Sequence, residues 1–540
     1  MKIMTLRFLN VLLDVVAKAA AQSLTEEQAA EGLASADDLL ARLKQWRWER
    51  WDPQTATVLQ LLPREVLSTI LGQLEDRRDL AHLAATCCLL WCDAPAAPVR
   101  LVGPVEAELR RRAEARSLDV GYSLPDGAAS WVPYLLQREL RDAQRRRAPL
   151  AAGMLYSVFV DVNGRLHTCG QAGGHGPALG HTGVDAIGPP TLVPSMLDRR
   201  IVSVASSIFH CLALSAEGEV FSWGAGDQGA LGHGDENHRA VPSRIESLQR
   251  IESIMAGNGR SAAVDERGHL FTCGLARTIP GEEAWPTGLG YAVDLQTESQ
   301  LTPKRVDALS QHRVVGVALG SFFTLAVTDA GAVFSFGSGT LGVLGHGSLN
   351  SEMLPRRIDA LTQTGRRFVA VAAGGCHALA LTEEGQLYCW GWGGANGYRQ
   401  GANYDTHTRL TPGLLTALLG ERVAFVDAKA VSSYAVTEKG ELYTWGDRNC
   451  HHFGHGEVDE GQAAPRRVEM PGGVQVAAVA LGVAHMLVAD ADGGAWACGT
   501  RRALGLYSPD AWEVDGVREP TRIPNLRVRR GLTRVRLLAG

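Results

Sequence analysis

Residues 369–391 read Val-Ala-Val-Ala-Ala-Gly-Gly-Cys-His-Ala-Leu-Ala-Leu-Thr-Glu-Glu-Gly-Gln-Leu-Tyr-Cys-Trp-Gly. Short runs of apolar residues alternate here with small or polar residues, and each run has the composition of a β-strand. Thr382 opens a tight turn through its side-chain oxygen, and Gly385 closes it, where a positive φ suits glycine. Gly391 ends the last run. The stretch therefore predicts neighbouring strands joined by tight turns.

The same unit occurs seven times between Asp161 and Gly499. In each copy a short polar residue is followed by two variable residues and a Gly, and a second Gly comes six positions later. The units begin at Asp161, Ser215, Asp265, Thr328, Thr382, Thr437 and Asp490. Spacing inside the unit is constant, while successive units are 54, 50, 63, 54, 55 and 53 residues apart. A fixed core with connections of variable length indicates a structural repeat.

Two hairpins per repeat would form a four-stranded sheet, called a blade below. One blade cannot bury both of its faces, so blades must stack, and a closed ring protects their edges. We therefore predict a mainly β fold, a seven-bladed β-propeller. The tail Thr533–Gly540 looks like the start of an eighth repeat, and the first repeat lacks a full leading strand before Leu150. We expect the C-terminal strand to complete the first blade.

The repeat resembles the regulator of chromosome condensation repeat over about residues 149–540. Its hallmarks here are Val-Ala-Ala-Gly, then Gly-x-Leu-Tyr-x-Trp-Gly, then Leu-Gly-His-Gly and Pro-x-Arg-Ile. There is no repeated Trp-Asp pair and no regular double Gly of the WD40 or kelch kind. The resemblance implies a propeller. The founding member of that family is a nucleotide exchange factor for the small GTPase Ran, which it touches through a loop-borne wedge.

Residues before the propeller have a different composition, with few glycines and many Ala, Leu, Arg and Glu. Their apolar periodicity predicts helices at about 3–20, 24–50, 64–74, 79–92, 104–116 and 131–146. We divide this part into an N-terminal helical segment (1–55), a second domain (56–100) and a helical linker (101–148).

Residues 61–74 resemble the start of an F-box. Pro63 suits a first helical position, and the apolar residues after it fall on adjoining faces of one helix. In the F-box family such a face docks on the Skp adaptor of cullin-type ubiquitin ligases. The resemblance implies the adaptor-binding residues Leu62, Pro63, Val66, Leu67, Ile70, Leu71 and Leu74. The alternative is an ordinary amphipathic helix that packs on its neighbours.

Composition bounds the remaining possibilities. The chain has 540 residues and a net charge of −5, and no apolar run reaches the roughly 20 residues of a membrane span. The basic runs at 110–112 and 145–147 are interleaved with acidic residues, so we expect no specific nucleic-acid partner. The ten cysteines form no disulfide pattern, which suits a reducing compartment, cytoplasmic or nuclear. A transit helix at the N-terminus stays an alternative, because Lys2, Arg7 and Lys18 would supply its basic residues.

The sequence gives little support for a metal site or a catalytic site. His181, His233, His346 and His455 follow a Gly in equivalent loops of different repeats, too far apart to bind one ion. Cys450-His451-His452 lacks a distant second ligand pair. His210, His377 and His485 share a repeat position that Tyr156, Arg260, Phe323 and Ser432 fill elsewhere, which indicates packing. We predict no metal, no cofactor and no catalytic site.

The longest spacing follows the third repeat, and the excess falls in 275–300. An enlarged loop on a rigid scaffold is a good binding element, and this one carries Glu282, Glu283, Trp285 and Tyr291. We interpret it as a partner-binding loop. The alternative is an insertion without a function.

Two functions remain. The first is the substrate-recognition subunit of a Skp–cullin–F-box ubiquitin ligase, in which the propeller binds a protein substrate. The second is a guanine nucleotide exchange factor or regulator of a small GTPase, or a non-catalytic scaffold. Both interpretations rest on resemblance, since one fold hosts many functions.

Overall fold

In the computed structural model, the residues described are 148–172, 176–276, 286–292, 299–392, 408–446, 453–456, 464–504 and 516–528. All of them belong to one compact unit, Ala143–Thr533. The predicted N-terminal segment, F-box-like domain and most of the linker lie outside the described residues, and so does the tail from residue 529.

Seven antiparallel sheets follow one another along the chain, each built from four consecutive strands. Blade 1 contains β1 Leu150–Ala152, β2 Tyr156–Val160, β3 Leu166–Gln171 and β4 Ala186–Leu192. Blade 2 contains β5 Ile201–Ser206, β6 His210–Ser215, β7 Val220–Gly224 and β8 Arg239–Arg244. Blade 3 contains β9 Ile251–Gly257, β10 Arg260–Asp265, β11 Leu270–Leu275 and β12 Ser299–Arg305. Blade 4 contains β13 Val314–Leu319, β14 Phe323–Thr328, β15 Val333–Gly337 and β16 Glu352–Arg357.

The last three blades repeat this order. Blade 5 contains β17 Phe368–Ala373, β18 His377–Thr382, β19 Leu387–Gly391 and β20 Arg409–Leu414. Blade 6 contains β21 Val423–Lys429, β22 Ser432–Thr437, β23 Leu442–Gly446 and β24 Arg466–Arg467. Blade 7 contains β25 Val476–Leu481, β26 His485–Asp490, β27 Gly494–Gly499 and β28 Val517–Arg527. The prediction of a mainly β, seven-bladed propeller is confirmed.

Helical structure in the described residues is confined to single turns. One short α-helix, α1 Asp359–Thr362, lies between blades 4 and 5. The 3-10 turns are Pro194–Met196, Asp227–Gly229, Asp307–Leu309, Thr340–Gly342, Thr416–Leu418, Pro471–Gly473 and Arg501–Ala503.

Each blade places its first strand innermost, around a central channel. Because the strands are antiparallel, the turn after the first strand and the connection after the third lie on one side of the ring. We call that side the loop face. The turn after the second strand and the connection to the next blade lie on the opposite side, which we call the turn face.

The repeated turn on the turn face has the predicted geometry. Asp161 accepts hydrogen bonds at Oδ1 from the backbone N–H groups of Asn163 and Arg165, at 2.8 and 2.9 Å. Asp265 and Asp490 make the same pair of bonds. The glycine that closes the turn has φ between 80° and 85° in all seven blades, where a Cβ is disfavoured.

The core lies between adjacent blades, as stacking requires. Trp223, Trp390 and Trp445 are the next-to-last residues of their third strands and are fully buried. The Trp223 indole N–H donates to the carbonyl oxygen of Ala178 in blade 1, at 2.8 Å. Cys169, Cys273 and Cys498 occupy the same position in blades 1, 3 and 7 and are buried as free thiols, as predicted. Burial raises the thiol pKa of each to about 12.

The tail Thr533–Gly540, on which our ring-closure prediction rests, lies outside the described residues, so completion of blade 1 by that tail stays a prediction. Blade 1 has four strands of its own, and β28 belongs to blade 7, so the described C-terminal strand does not complete the first blade. The two blades meet through side chains, since Phe159 shares a core cluster with Leu487. A β-bridge between Asp161 and Val528 joins the two sheets, and the Val483 N–H donates to the carbonyl oxygen of Gly153 at 3.1 Å. The short β1 also packs against blade 7, since Leu150 and Ala152 belong to the same cluster.

Candidate functional site

The variable repeat position joins each blade to the next one. His210, His377 and His485 start the second strands of their blades, and each imidazole Nε2 lies 2.6–3.0 Å from a buried serine hydroxyl in the following blade. Those hydroxyls belong to Ser261, Ser433 and Ser157. The packing role predicted for this position is confirmed. The serine partner directly follows the residue that occupies the histidine position in the next repeat.

Arg260 takes the histidine position in blade 3 and is 1% exposed. Its guanidinium donates to the carbonyl oxygens of Gly320 and Phe323 at 2.6 and 3.2 Å, and also to the carbonyl oxygen of Thr287. It reaches the Thr324 hydroxyl at 3.1 Å. Burial lowers the Arg260 pKa to about 9. Carbonyl oxygens therefore solvate this cation, which makes Arg260 a link between blades.

The loop histidines also have a structural role. His233 Nε2 lies 2.9 Å from the Ser222 hydroxyl, which itself donates to the carbonyl oxygen of Leu231. His181, His346 and His455 make the equivalent contact in their own blades. Burial lowers the pKa of His233 and His455 to about 4, so both are neutral near pH 7. Across the described residues, His, Cys, Asp and Glu side chains form no group that could hold a metal ion.

Of the four residues named in the predicted partner-binding loop, the structure describes Tyr291. Tyr291 packs against the core of blades 3 and 4, and its hydroxyl donates to the carbonyl oxygen of Thr272 at 3.0 Å. Lys304 Nζ lies 4.6 Å from the centre of the Tyr291 ring. Glu282, Glu283 and Trp285 lie outside the described residues, so the binding role of the loop stays a prediction. The adaptor-binding residues from Leu62 to Leu74 lie outside them as well.

The turn face is built alike in successive blades. Its turns after the second strand are short, and ion pairs join them to the connection from the preceding blade. Examples are Arg199–Glu219 at 3.2 Å and Arg250–Glu266 at 2.9 Å. Arg422–Glu438 repeats the pair at 3.3 Å. Exposed pairs of this kind contribute about 0–1 kcal/mol each to stability. The turn face therefore repeats one weak ion pair and varies little from blade to blade.

The loop face carries the variation between repeats. Connections after the third strand run from 14 to 23 residues, and the longest, 276–298, follows β11. Across all seven connections the sequence has 16 Asp and Glu residues against five Lys and Arg residues. Because the whole chain has a net charge of only −5, the acidic excess is concentrated in these connections. A net negative surface favours partners that present basic groups.

The central channel contains two charged residues that the sequence analysis missed. Its cavity measures about 290 Å³ and is lined by the innermost strands of all seven blades. Asp427 and Lys429, both on β21, are the charged side chains among the described lining residues. The signal was present in the sequence, where Val426-Asp427-Ala428-Lys429 replaces the Val-Ala-Ala-Gly of the repeat.

The fold and its uniform repeats define a seven-bladed propeller, and comparisons with known proteins agree. A profile of the regulator of chromosome condensation (RCC1) repeat matches residues 217–264, 330–381 and 439–489, and a second profile of this repeat matches 201–230 and 368–400. The chain is 31% identical over 373 residues to the ultraviolet-B receptor UVR8 of Arabidopsis thaliana. That match covers 68% of this chain and 80% of UVR8. The chain therefore belongs to the RCC1-repeat family.

Other relatives share the propeller but differ in length. The human E3 ubiquitin-protein ligase HERC2 is 38% identical over 351 residues, which cover 64% of this chain but only 7% of HERC2. The crystal structure of Prp20p from Saccharomyces cerevisiae superposes with a TM-score of 0.57 at 24% identity, over 72% of this chain and 89% of Prp20p. This likeness establishes the common fold.

Within the described part of the chain, every helix is too short to cross a lipid bilayer.

Proposed function

We propose that this chain is a non-catalytic binding propeller that regulates or scaffolds a protein partner held on its loop face. The observation that carries the proposal is the contrast between the two faces. The turn face repeats one design, whereas the loop face varies from blade to blade and concentrates acidic residues. Binding residues commonly lie on variable loops that a rigid scaffold holds in place.

A small GTPase is the first class of partner to test. The solved structure of Prp20p was described together with its binding to Gsp1p and histones. The founding family member acts on a GTPase, and the enlarged connection 276–298 offers a loop of the kind that such a contact uses. UVR8 is named as a light receptor, but the repeated Gly-Trp-Arg-His-Thr run of that photoreceptor is absent from this sequence.

Charge variants on the two faces test the proposal. Asp227 and Glu236 are exposed in the blade 2 connection of the loop face. Glu246 and Asp307 are exposed on the turn face and provide a matched control that removes the same charge. We expect Asp227→Asn with Glu236→Gln to weaken binding of the partner GTPase about tenfold, and more at low salt because screening is weaker there.

The measurement has two parts. A panel of small GTPases is first screened with the native chain for direct binding and for accelerated nucleotide release. The positive member is then titrated against both charge variants. Equal weakening by the turn-face control contradicts the choice of face, and a panel without any binder contradicts the GTPase class.

Docking to a Skp-type adaptor and a cullin ligase through Leu62–Leu74 stays a prediction from the sequence. HERC2 is itself a ubiquitin ligase, but the match to it covers the propeller. A pull-down of the full chain with the Skp adaptor decides the matter. If Pro63→Ala with Leu67→Asp binds the adaptor as well as the native chain does, the F-box hypothesis is wrong.

A further inference from the structure

Blade 6 departs from the other blades at two positions that face the channel. The residues level with Asp427 in the other blades are Ala151, Ala205, Met255, Ala318, Ala372 and Ala480. Those level with Lys429 are Gly153, Ser207, Gly257, Gly320, Gly374 and Gly482. The other six blades thus form without a charged residue at either position, so the fold does not require Asp427 and Lys429.

A third change in blade 6 makes room for the lysine. In blade 5, a Cβ at Gly374 would overlap the His377 ring, and Gly320 stands in the same relation to Phe323. In these two blades the ring of the second strand occupies the space that a larger residue would need. Blade 6 has Ser432 in place of the ring, paired across the strands with Lys429. The small serine leaves the space that the lysine stem needs.

Both charges retain unused hydrogen-bonding capacity. Lys429 Nζ reaches across the channel and donates to the carbonyl oxygen of Ser206 in blade 2 at 2.6 Å, which uses one of its three N–H groups. Asp427 Oδ1 accepts a hydrogen bond from the Ala428 N–H at 2.8 Å. Lying two residues apart on one strand, the side chains point to the same side, yet they make no ion pair with each other among the described contacts.

The surroundings of the pair are enclosed and mainly apolar. Asp427 lies inside the ring of blades, and its side chain is exposed to the space of the central channel. Burial raises the pKa of Asp427 and lowers that of Lys429, because each charged form loses solvation. Met255, Val317, Val371, Phe425 and Val479 line the cavity nearby. Two opposite charges that each have one backbone hydrogen bond but form no ion pair are costly in such a place unless a ligand pairs with them.

We propose that the central channel binds a small zwitterion, an α-amino acid with an apolar side chain. The ligand carboxylate pairs with Lys429, the ligand ammonium pairs with Asp427, and the ligand side chain packs on the apolar lining. The cavity of about 290 Å³ lies at the small end of ligand pockets, which suits a molecule of this size. This site is independent of the protein partner on the loop face.

L-leucine is the probe, and isothermal titration calorimetry of the full chain is the assay. We expect saturable binding below about 1 mM. Two analogues that each keep one charge, 4-methylpentanoate and 3-methylbutylamine, are expected to bind about tenfold or more weakly, because each leaves one protein charge unpaired.

Variants that restore the repeat pattern provide the control for folding. Asp427→Ala and Lys429→Gly introduce residues that other blades already hold there, so we expect each to fold and to lose leucine affinity about tenfold or more. Asp427→Asn and Lys429→Met serve the same purpose at nearly constant volume. Ser253→Ala removes a channel-facing hydroxyl without changing charge and should leave affinity unchanged.

Two results would overturn the proposal. One is no leucine binding by the native chain at about 10 mM, well above the range in which weak small-molecule sites saturate. The other is equal affinity of the native chain and the Asp427→Ala, Lys429→Gly double variant. The thermal midpoint without ligand separates a purely structural role, which predicts a lower midpoint in the double variant, from a ligand site, which predicts an unchanged or higher one.

Discussion

The histidine–serine contacts between blades should be replaceable by an apolar pair already present in the ring. His377 Nε2 and Ser433 Oγ lie 2.6 Å apart across the boundary between blades 5 and 6, and both residues are fully buried. One blade earlier, the same two positions hold Phe323 and Ala378, which belong to one apolar core cluster. The perturbation is therefore His377→Phe combined with Ser433→Ala.

The expected magnitudes follow from the burial of this pair. Ser433→Ala alone leaves the imidazole N–H without its hydroxyl partner and should cost about 1–3 kcal/mol. The double variant should recover most of that loss, since two matched apolar groups can replace a buried hydrogen bond at nearly no cost. The double-mutant cycle should then give a coupling energy of about 1–2 kcal/mol.

The assay is equilibrium urea denaturation of the four proteins in the cycle, followed by tryptophan fluorescence and repeated by circular dichroism. Coincidence of the two signals justifies comparing free energies of unfolding. Additive effects of the two substitutions, or a neutral Ser433→Ala variant, would refute the reasoning that these contacts are matched in pairs.

Three further predictions concern stability. Burial lowers the pKa of His210 to about 3 and of His377 to about 4, below the roughly 6.5 of an unfolded chain, and Lys429 adds to the shift at His210. Each neutral histidine contributes its full stabilisation above about pH 6.5 and loses it as the pH drops toward its folded pKa. At pH 5 the two histidines together should therefore lower the free energy of unfolding by on the order of 4 kcal/mol. Urea titration at pH 5 and above about pH 6.5 measures the difference. Gly337→Ala places a Cβ against backbone at φ +114° and should lower the thermal midpoint clearly more than Gly365→Ala, where φ is +67° and the Cβ meets open space. Arg260→Ala removes the donor to several buried carbonyls and should cost about 3 kcal/mol or more, with no rescue by Arg260→Leu in thermal unfolding.

The sequence predicted the parts of the fold that depend on local spacing. The turn glycines, the strand after each turn and the number of blades all follow from the seven units, because tight turns and strands leave a fixed residue pattern. These features need only residues that are close together in the chain.

What the sequence left open concerns contacts between distant residues. A strand-like tail does not reveal which sheet it joins, and the predicted completion of blade 1 by Thr533–Gly540 lies outside the described residues. The partner of His210 lies 51 residues further along, at Ser261, and becomes visible only when two adjacent repeats are compared. Asp427 and Lys429 could have been found by asking which repeat breaks the Val-Ala-Ala-Gly pattern, a question about departures rather than matches.

Each sheet is one uninterrupted length of chain, and the boundary between blades 1 and 7 is closed by side chains and a few backbone contacts. Genetic duplication or deletion of a single repeat could therefore change the ring by one whole sheet without rethreading the polypeptide. The same property should let new chain ends be opened between any two sheets. Consecutive blades are also joined covalently by the chain, whereas blades 7 and 1 are not, so amide hydrogens at that boundary should exchange with deuterium first as the ring begins to open.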